Sequence, residues 1–224
     1  NMFNMLMLAL LGLVAPKARV LRRVATGHAL TASLAILLIG LSVFAIVADV
    51  DFVVGWVGWD SLLLIGIYIV GIRLIQTSNS GAPPPEQALD EANVPSLLRA
   101  GIGFLAATAV LVVVTPWLVR SGVEISEITG MSTGFVGALL LAIVTSLPEL
   151  VTTGTAVRFG AYDLAVGNLF GSNIFNMFAL GLTDIFYLQG RFLGDIDPAF
   201  AVAGMLGLLL TGLGLIGNLS RVQR

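Results

Sequence analysis

Six stretches of this chain are each long and apolar enough to cross a lipid bilayer as a helix, and this feature restricts the possible folds most. A spanning helix needs about 20 mostly apolar residues. Hydrophobic residues make up 57% of the chain and charged residues 11%, which excludes a water-soluble globular domain. We therefore predict an all-α, polytopic helical bundle with the lipid bilayer as its solvent. The stretches lie at 28–48, 52–75, 98–119, 131–157, 161–186 and 196–219, after a shorter apolar run at 1–14.

The distribution of basic residues predicts the orientation of this bundle, because Lys and Arg accumulate in cytoplasmic loops. The connection after the first apolar run is rich in Lys and Arg, whereas the next, around Asp49, Asp51 and Asp60, contains neither. Placing the first connection inside and alternating the spans leaves only Arg120 and Arg191 of the eleven basic residues outside. The pattern predicts a multi-pass protein of the cell (inner) membrane.

One polar segment, TSNSGAPPPEQALDEANVPS at residues 77–96, divides the chain. Its three consecutive prolines cannot continue a membrane helix. We predict that it is a cytoplasmic linker between two parts of the chain. Residues 1–76 would hold three spans, the first incomplete, and residues 97–224 would hold four.

A short sequence repeat relates the two sides of the linker. NMFNM at residues 1–5 matches NIFNM at residues 173–177 in four of five positions. The copies lie five spans apart, so the first runs inward and the second outward. Opposite direction is the property that defines inverted-topology repeats. We therefore predict a bundle built from inverted repeats.

The segment 131–157 carries the clearest indication of chemistry. Pro148 has no N–H, so the carbonyl of Val144 loses its helical partner and the helix is predicted to kink. Hydroxyl, carboxylate and freed carbonyl oxygens are the ligands that hard cations such as calcium and sodium bind. Four residues spaced at i, i+3, i+4 and i+7 share one helix face at this point: Ala142, Thr145, Ser146 and Glu149.

A structural interpretation competes for most of these residues. Ser and Thr hydroxyls in membrane helices commonly bond back to their own backbone, and a proline often serves only as a kink. Thr145, Ser146 and Pro148 are each compatible with that interpretation. Glu149 is different, because an ionisable group near mid-span costs about 3 kcal/mol even on the lenient insertion scale. Thr152 and Thr153 are interpreted as helix-packing residues.

The next span, residues 161–186, carries a polar stripe of Asn168, Ser172 and Asn176 at successive i+4 positions. Amides are costly in lipid and must face protein or water. Gly167 and Gly171 form a small-xxx-small pair that indicates close helix packing. Packing explains the glycines but not the amides.

Two acidic residues near the ends of this span are interpreted structurally. Asp163 stands at the helix start, where an N-cap is the expected role. Asp184 stands near the outer end, where we expect a solvated acid at the membrane interface.

Several classes of function are excluded by what the chain does not contain. It has no cysteine and a single histidine, His28, so neither a thiolate or histidine-rich metal site nor a serine–histidine hydrolase can be assembled. It has no GxxxxGK[ST] motif for ATP hydrolysis. We expect no enzymatic activity, no resident cofactor and no nucleic-acid partner.

Two motifs, TSLPEL at residues 145–150 and GNLFGSNIFN at residues 167–176, carry a resemblance to a known family. Together they resemble the second alpha-repeat of the sodium/calcium exchanger branch of the calcium/cation antiporter superfamily. GAYDLAVGN fits the link between the two repeat helices, and NMFNM is similar to the tail of the first repeat. The resemblance implies ten spans in two inverted five-helix halves. This chain would hold the end of the third span through the ninth, and it looks truncated at both ends.

The resemblance also implies a ligand set for the transported ions. Calcium or sodium would contact Thr145, Ser146, Glu149, Ser172, Asn176 and the carbonyl of Ala142, with Asn4 as the partner from the first repeat. Many exchangers have an aspartate where this sequence has Asn176, so its replacement by an amide bears on ion stoichiometry and coupling.

The function implied is a secondary antiporter that exchanges calcium for sodium by alternating access, with these ions as its partners. A calcium/proton exchanger, a passive cation channel and a structural membrane subunit remain as alternatives. Sodium dependence distinguishes the first, transport against a gradient the second, and the effect of Glu149→Gln the third.

Overall fold

The computed structural model describes residues 1–14, 28–79 and 96–220, and this part of the chain is almost entirely helical. It includes a π-helix, Gly137–Leu141, and a 3₁₀ turn, Phe192–Gly194. The α-helices are α1 Met2–Val14, α2 Ala29–Ala48, α3 Trp59–Asn79, α4 Leu97–Thr129, α5 Thr133–Val136, α6 Ala142–Thr145, α7 Leu147–Arg158, α8 Tyr162–Phe186 and α9 Ala199–Ser220.

Within the described residues, six helical segments are long and apolar enough to cross a membrane. They are the six that hydropathy predicted, with the segment Thr133–Arg158 made of several successive helices. The predicted all-α membrane bundle is confirmed, and the chain is an integral, multi-pass membrane protein.

The second predicted span begins later than the sequence indicated, at Trp59 rather than at residue 52. Residues 53–58 instead form a hairpin in which strand β1, Val53–Val54, pairs antiparallel with β2, Val57–Gly58. Gly55 takes a left-handed φ of 71°, which a glycine in a tight turn adopts without strain. Hydropathy did not separate this apolar hairpin from the helix that follows it.

Helix α4 is longer than the apolar stretch 98–119 that predicted it. It runs for 33 residues, passes through Pro116, and ends where Gly130 takes a left-handed φ of 70° and donates its N–H to Ser126. Hydropathy marks the part of a helix that lipid can surround, whereas a C-cap glycine marks where the helix ends.

By its internal contacts the chain forms two compact units. The first contains the described residues up to Asn79 and those from Leu147 onward, and the second contains the described residues from Ser96 to Ser146. Most of the predicted linker 77–96 and the basic connection 15–27 lie outside the described residues. The described part places 77–79 at the end of α3 and Ser96 as the N-cap of α4. The predicted division into repeat halves stays a prediction.

Helix α2 occupies the centre of the first unit, where it packs against α3, α8 and α9. Ala32, Ala35 and Ala45 on α2 are fully buried. Small side chains allow helices to approach closely in a membrane, where tight packing rather than the hydrophobic effect drives association. The main apolar core gathers around this helix and consists of Leu34, Ala35, Leu38, Ala45, Leu64, Ile174 and Leu193.

The start of α2 lies beside the start of α8, and the end of α2 lies beside the loop that follows α8. Near their starts, Nε2 of His28 lies 3.1 Å from Oδ1 of Asp163. Asp163 therefore does not act as the predicted N-cap, since Ala161 holds that position and Asp163 lies in the first turn. Near their opposite ends, the guanidinium of Arg191 reaches the carbonyl of Ala45. Helices α2 and α8 thus run in the same direction, as alternating spans require.

A buried ion-pair network joins the end of α2 and the start of α3 to the loop after α8. Nη1 of Arg191 donates to Oδ2 of Asp60 at 2.6 Å, and Nη2 pairs with Asp49. The side chain of Arg191 is 3% exposed and that of Asp60 is fully buried, whereas the side chain of Asp49 is 69% exposed. One of the two arginines predicted outside is therefore neutralised within the protein.

Asp184 is completely buried, so the expectation of a solvated interfacial acid is wrong. Its Oδ2 accepts the N–H of Gly58 at 2.6 Å, and its Oδ1 accepts the N–H of Phe192 at 2.8 Å. Backbone N–H groups can donate to a buried carboxylate the hydrogen bonds that water donates to an exposed one. Asp184 thereby fixes both the hairpin and the loop after α8, a contact between distant segments that sequence position alone does not reveal.

We expect Arg191→Met to lower the free energy of unfolding by about 3–5 kcal/mol, because it leaves the carboxylate of Asp60 buried and uncompensated. The measurement is thermal and denaturant unfolding of the full-length protein in detergent micelles. Arg120→Met, at an exposed arginine, is the matched control and should change stability little. Adding Asp60→Asn to Arg191→Met should restore part of the loss, and equal stability of Arg191→Met and the control would contradict this account.

Candidate cation-binding site

The helix predicted to kink at Pro148 is broken there. Helix α6 ends at Thr145, and the N–H of Ser146 turns back to the carbonyls of Ala142 at 3.2 Å and Ile143 at 3.1 Å. Helix α7 then begins at Leu147, with Pro148 in its first turn, where the absence of an N–H removes no helical bond. The break confirms the effect predicted for the proline.

Three predicted ligands, Ala142, Thr145 and Ser146, lie in the second unit. The hydroxyl of Thr145 donates to the carbonyls of Leu141 at 2.9 Å and Ala142 at 3.3 Å, which is the back-bonding that the structural interpretation expects. Its oxygen retains lone pairs that a cation could use. The other predicted ligands belong to the first unit, so the joining of both groups in one site stays a prediction.

Glu149 and Ser172 are brought together by the packing of α7 against α8. The Ser172 hydroxyl donates to Oε1 of Glu149 at 2.8 Å. The second carboxylate oxygen, Oε2, is buried and has no hydrogen-bond partner among the described residues. Glu149 lies in the first turn of α7, where the helix dipole favours its negative charge. The carboxylate thus keeps one oxygen free to bind a positive ion.

The side chain of Asn168, one turn before Ser172 on α8, forms hydrogen bonds to α7. Its amide donates to Oγ1 of Thr152 at 2.9 Å and to Oγ1 of Thr153 at 3.0 Å. The structure agrees with the interpretation of both threonines as packing residues. Of the two glycines beside this stripe, Gly167 lies against the ring of His28, whereas a Cβ at Gly171 would meet no other described residue within 4 Å.

The two copies of the repeated pentapeptide lie side by side in the first unit. The buried Asn4 donates from Nδ2 to Oδ1 of Asn173 at 2.9 Å, and Asn176 donates from Nδ2 to Oδ1 of Asn1 at 3.0 Å. The first asparagine of each copy thus pairs with the second asparagine of the other. This reciprocal pairing requires α1 and α8 to run in opposite directions, as inverted repeats do.

Asn1 and Asn173 were not among the predicted ligands. The signal that could have found them is in the pentapeptides, because the two asparagines of each copy stand three residues apart on one helix face. The repeat indicates that the two helices run in opposite directions, but it does not by itself show that their asparagines are in contact.

Asn176 borders a cavity of about 490 Å³ between α1, α2, α8 and α9. Its polar lining consists of Asn1, Ser42 and Asn176, and the rest is apolar. Asn176 itself is exposed. The asparagine pair formed by Asn1 and Asn176 therefore lies in the polar part of the cavity wall.

Neutral oxygens outnumber charges among the predicted ligands. Glu149 supplies the single carboxylate, beside hydroxyl, amide and carbonyl oxygens. In the part of the chain that the structure describes, no group of three or more His, Cys, Asp or Glu residues is arranged to hold a metal ion. A low charge count at an oxygen site favours weaker, reversible binding of a hard cation.

The chain belongs to the sodium/calcium exchanger protein family, whose family model matches residues 100–223. The resemblance read from the two motifs is therefore confirmed. The matched region contains α7 and α8 and so both helices that carry Glu149 and Ser172.

Individual relatives agree with this assignment. The chain is 34% identical over 178 residues to a putative antiporter, CaxA, of Alkalimonas amylolytica, covering 74% of this chain and 54% of the relative. It is 41% identical over 80 residues to the sodium/calcium exchanger MaX1 of Methanosarcina acetivorans, covering 35% and 23%. It is 38% identical over 93 residues to the inner membrane protein YrbG of Escherichia coli, covering 41% and 27%.

The chain spans about half the length of the first of these relatives and about a quarter of the other two. No solved structure gives a significant match to it.

We expect Asn168→Leu to destabilise the protein by about 1–2 kcal/mol, because it removes the donor that Thr152 and Thr153 share within the membrane. Thermal unfolding of the full-length protein in detergent measures this effect. Thr183→Val, which removes a hydroxyl bonded only to the carbonyl of Ala179 in its own helix, is the control. A loss no greater than that of the control would show that the amide does not join α7 to α8.

Proposed function

We propose that this chain belongs to a secondary antiporter that exports calcium in exchange for sodium. The observation that carries the proposal is the Glu149 carboxylate, held at one oxygen by Ser172 and free at the other, on a broken membrane helix. An ionisable group in a membrane span is a functional candidate by default. Membership of the exchanger family supports transport rather than enzymatic catalysis.

The proposed ions bind to oxygen. Calcium takes about 6 to 8 oxygen ligands. Sodium binds the same types of oxygen, and because it is monovalent it requires less negative charge from them. The proposed ligands are those that the family resemblance implies: the side chains of Thr145, Ser146, Glu149, Ser172, Asn176 and Asn4 and the carbonyl of Ala142.

Exchange requires that the two ions compete. A calcium ion gains more than a sodium ion from the single carboxylate of Glu149, whereas neutral oxygens discriminate less by charge. Sodium at sufficient concentration can therefore displace calcium from overlapping ligands. Each ion drives the alternation of access only to the extent that it binds one state more tightly than the other.

A calcium/proton exchanger is the second candidate, and the amide at Asn176 is the observation that favours it. With Glu149 as the only carboxylate of the set, proton binding at one residue would neutralise the site. Dependence of calcium uptake on a sodium gradient separates the two mechanisms. A passive channel, by contrast, would fail to move calcium against its own gradient.

We expect Glu149→Gln to reduce calcium uptake by about tenfold or more without impairing membrane insertion, since it deletes a ligand charge and keeps the side-chain shape. The assay uses the full-length protein in sodium-loaded liposomes and radiolabelled calcium. Glu124→Gln, the same change at an exposed position, is the control and should transport normally. Near-normal uptake by Glu149→Gln would contradict the proposal.

We expect Asn176→Asp to lower the calcium concentration needed for half-maximal transport and to add a dependence on pH, while protein abundance stays the same. The new carboxylate attracts the cation when ionised, so the gain should disappear as the pH falls and the carboxylate takes up a proton. Thr183→Asp places a carboxylate at an exposed position of the same helix, outside the proposed ligand set, and is the control. Unchanged ion and pH dependence in Asn176→Asp would show that Asn176 does not touch the ion.

A further inference from the structure

We propose that Asn173 and Asn1 are positioning residues that turn the amide oxygens of Asn4 and Asn176 toward the transported cation. The inference rests on the proposed function, and it assigns a role to two residues outside the proposed ligand set. Neither residue needs to contact the ion. Each acts through the asparagine that it holds.

The need for such positioning comes from the chemistry of an amide. An asparagine side chain ends in an oxygen that accepts and an NH₂ that donates, and the two are nearly equal in size. A cation binds the oxygen and is repelled by the NH₂. An asparagine ligand free to rotate about its last bond would therefore present the wrong group in part of the population.

The contacts at Asn4 select one of these orientations. Its Nδ2 donates to Oδ1 of Asn173 at 2.9 Å, which fixes the NH₂ on the side of Asn173. Its Oδ1 is left buried with no hydrogen-bond partner among the described residues. Asn4 is 1% exposed and Asn173 is fully buried, so both amides lie inside the described part of the protein.

Simple helix packing does not account for this arrangement. Two facing amides can form a closed pair with two reciprocal hydrogen bonds, which leaves no polar atom unsatisfied. Here a single bond forms, so Oδ1 of Asn4 and Nδ2 of Asn173 both remain unpaired. An unpaired buried polar group destabilises the fold. An oxygen that is left without a partner in this way is able to bind a cation.

The second pair repeats the same polarity. Asn176 donates from Nδ2 to Oδ1 of Asn1 at 3.0 Å, so again the second asparagine of a pentapeptide donates to the first asparagine of the other copy. Two contacts, related by the repeated pentapeptide, therefore hold the NH₂ group of a proposed ligand asparagine. In both contacts the acceptor is the first asparagine of the other pentapeptide.

A carboxylate presents an accepting oxygen in either orientation about its last bond, because both of its oxygens accept. If Asn173 serves to orient the amide of Asn4, then Asn4→Asp makes that orientation unnecessary. Four full-length proteins are compared in sodium-loaded liposomes: the wild type, Asn173→Leu, Asn4→Asp and the double variant. Glu149→Gln is included as the reference for loss of transport.

We expect Asn173→Leu to raise the apparent KM for calcium by about tenfold or more in the wild-type background, since a hydrogen bond to an ion ligand is lost. In the Asn4→Asp background the same substitution should change KM by less than about threefold. The maximal rate and the thermal unfolding temperature are measured in parallel. A purely structural role for Asn173 predicts equal effects in both backgrounds, and that result would overturn the proposal.

A second variant decides the question if Asn173→Leu does not yield folded protein. Asn173→Asp keeps an acceptor for Nδ2 of Asn4, so KM should stay within about threefold of wild type or fall. A tenfold rise would overturn the positioning role. If the wild type itself shows no sodium-driven calcium uptake that Glu149→Gln removes, the proposed function fails. If uptake is present and Asn173 is silent, only the positioning role fails.

Discussion

The interior of a bilayer offers no water to polar groups, so each one must find its partner within the protein. The described structure meets this requirement at several polar side chains, although not at all of the buried ones. Two backbone N–H groups donate hydrogen bonds to the carboxylate of Asp184, and the side-chain amide of Asn168 donates to two threonine hydroxyls. Three buried side-chain oxygens remain unpaired among the described residues, Oε2 of Glu149, Oδ1 of Asn4 and Oγ of Ser61, and the first two belong to predicted ion ligands.

Much of the fold could be predicted from sequence because bilayer thickness sets the length of a spanning helix. The six spans, the break at Pro148 and the opposed direction of the pentapeptides all follow from local pattern. The hairpin at residues 53–58, the burial of Asp184 and the ion pair of Arg191 could not be predicted, because each depends on a partner more than a hundred residues away or on a turn within an apolar run. Hydropathy records composition and not contact.

The same distinction applies to the candidate site. The spacing of Asn168, Ser172 and Asn176 indicated a polar face, and the structure pairs Ser172 with Glu149. The pairing of Asn4 with Asn173 could not be read from spacing within one helix, since the two lie on different helices. Periodicity selects residues for one face of a helix, but only packing decides which faces meet. The set of ion ligands, with one carboxylate among neutral oxygens, is implied by the family resemblance and stays a prediction.

The two asparagine pairs are chemically equivalent, yet they differ in their surroundings. The Asn4 pair is buried, whereas Asn176 in the other pair borders the cavity. If the two pairs exchanged their surroundings, the pentapeptide repeat would produce a second arrangement of the same type. Under the proposed exchange cycle, this second arrangement would be the state open to the opposite side of the membrane. One short pentapeptide, written twice in opposite directions, would then encode both end states of the transporter.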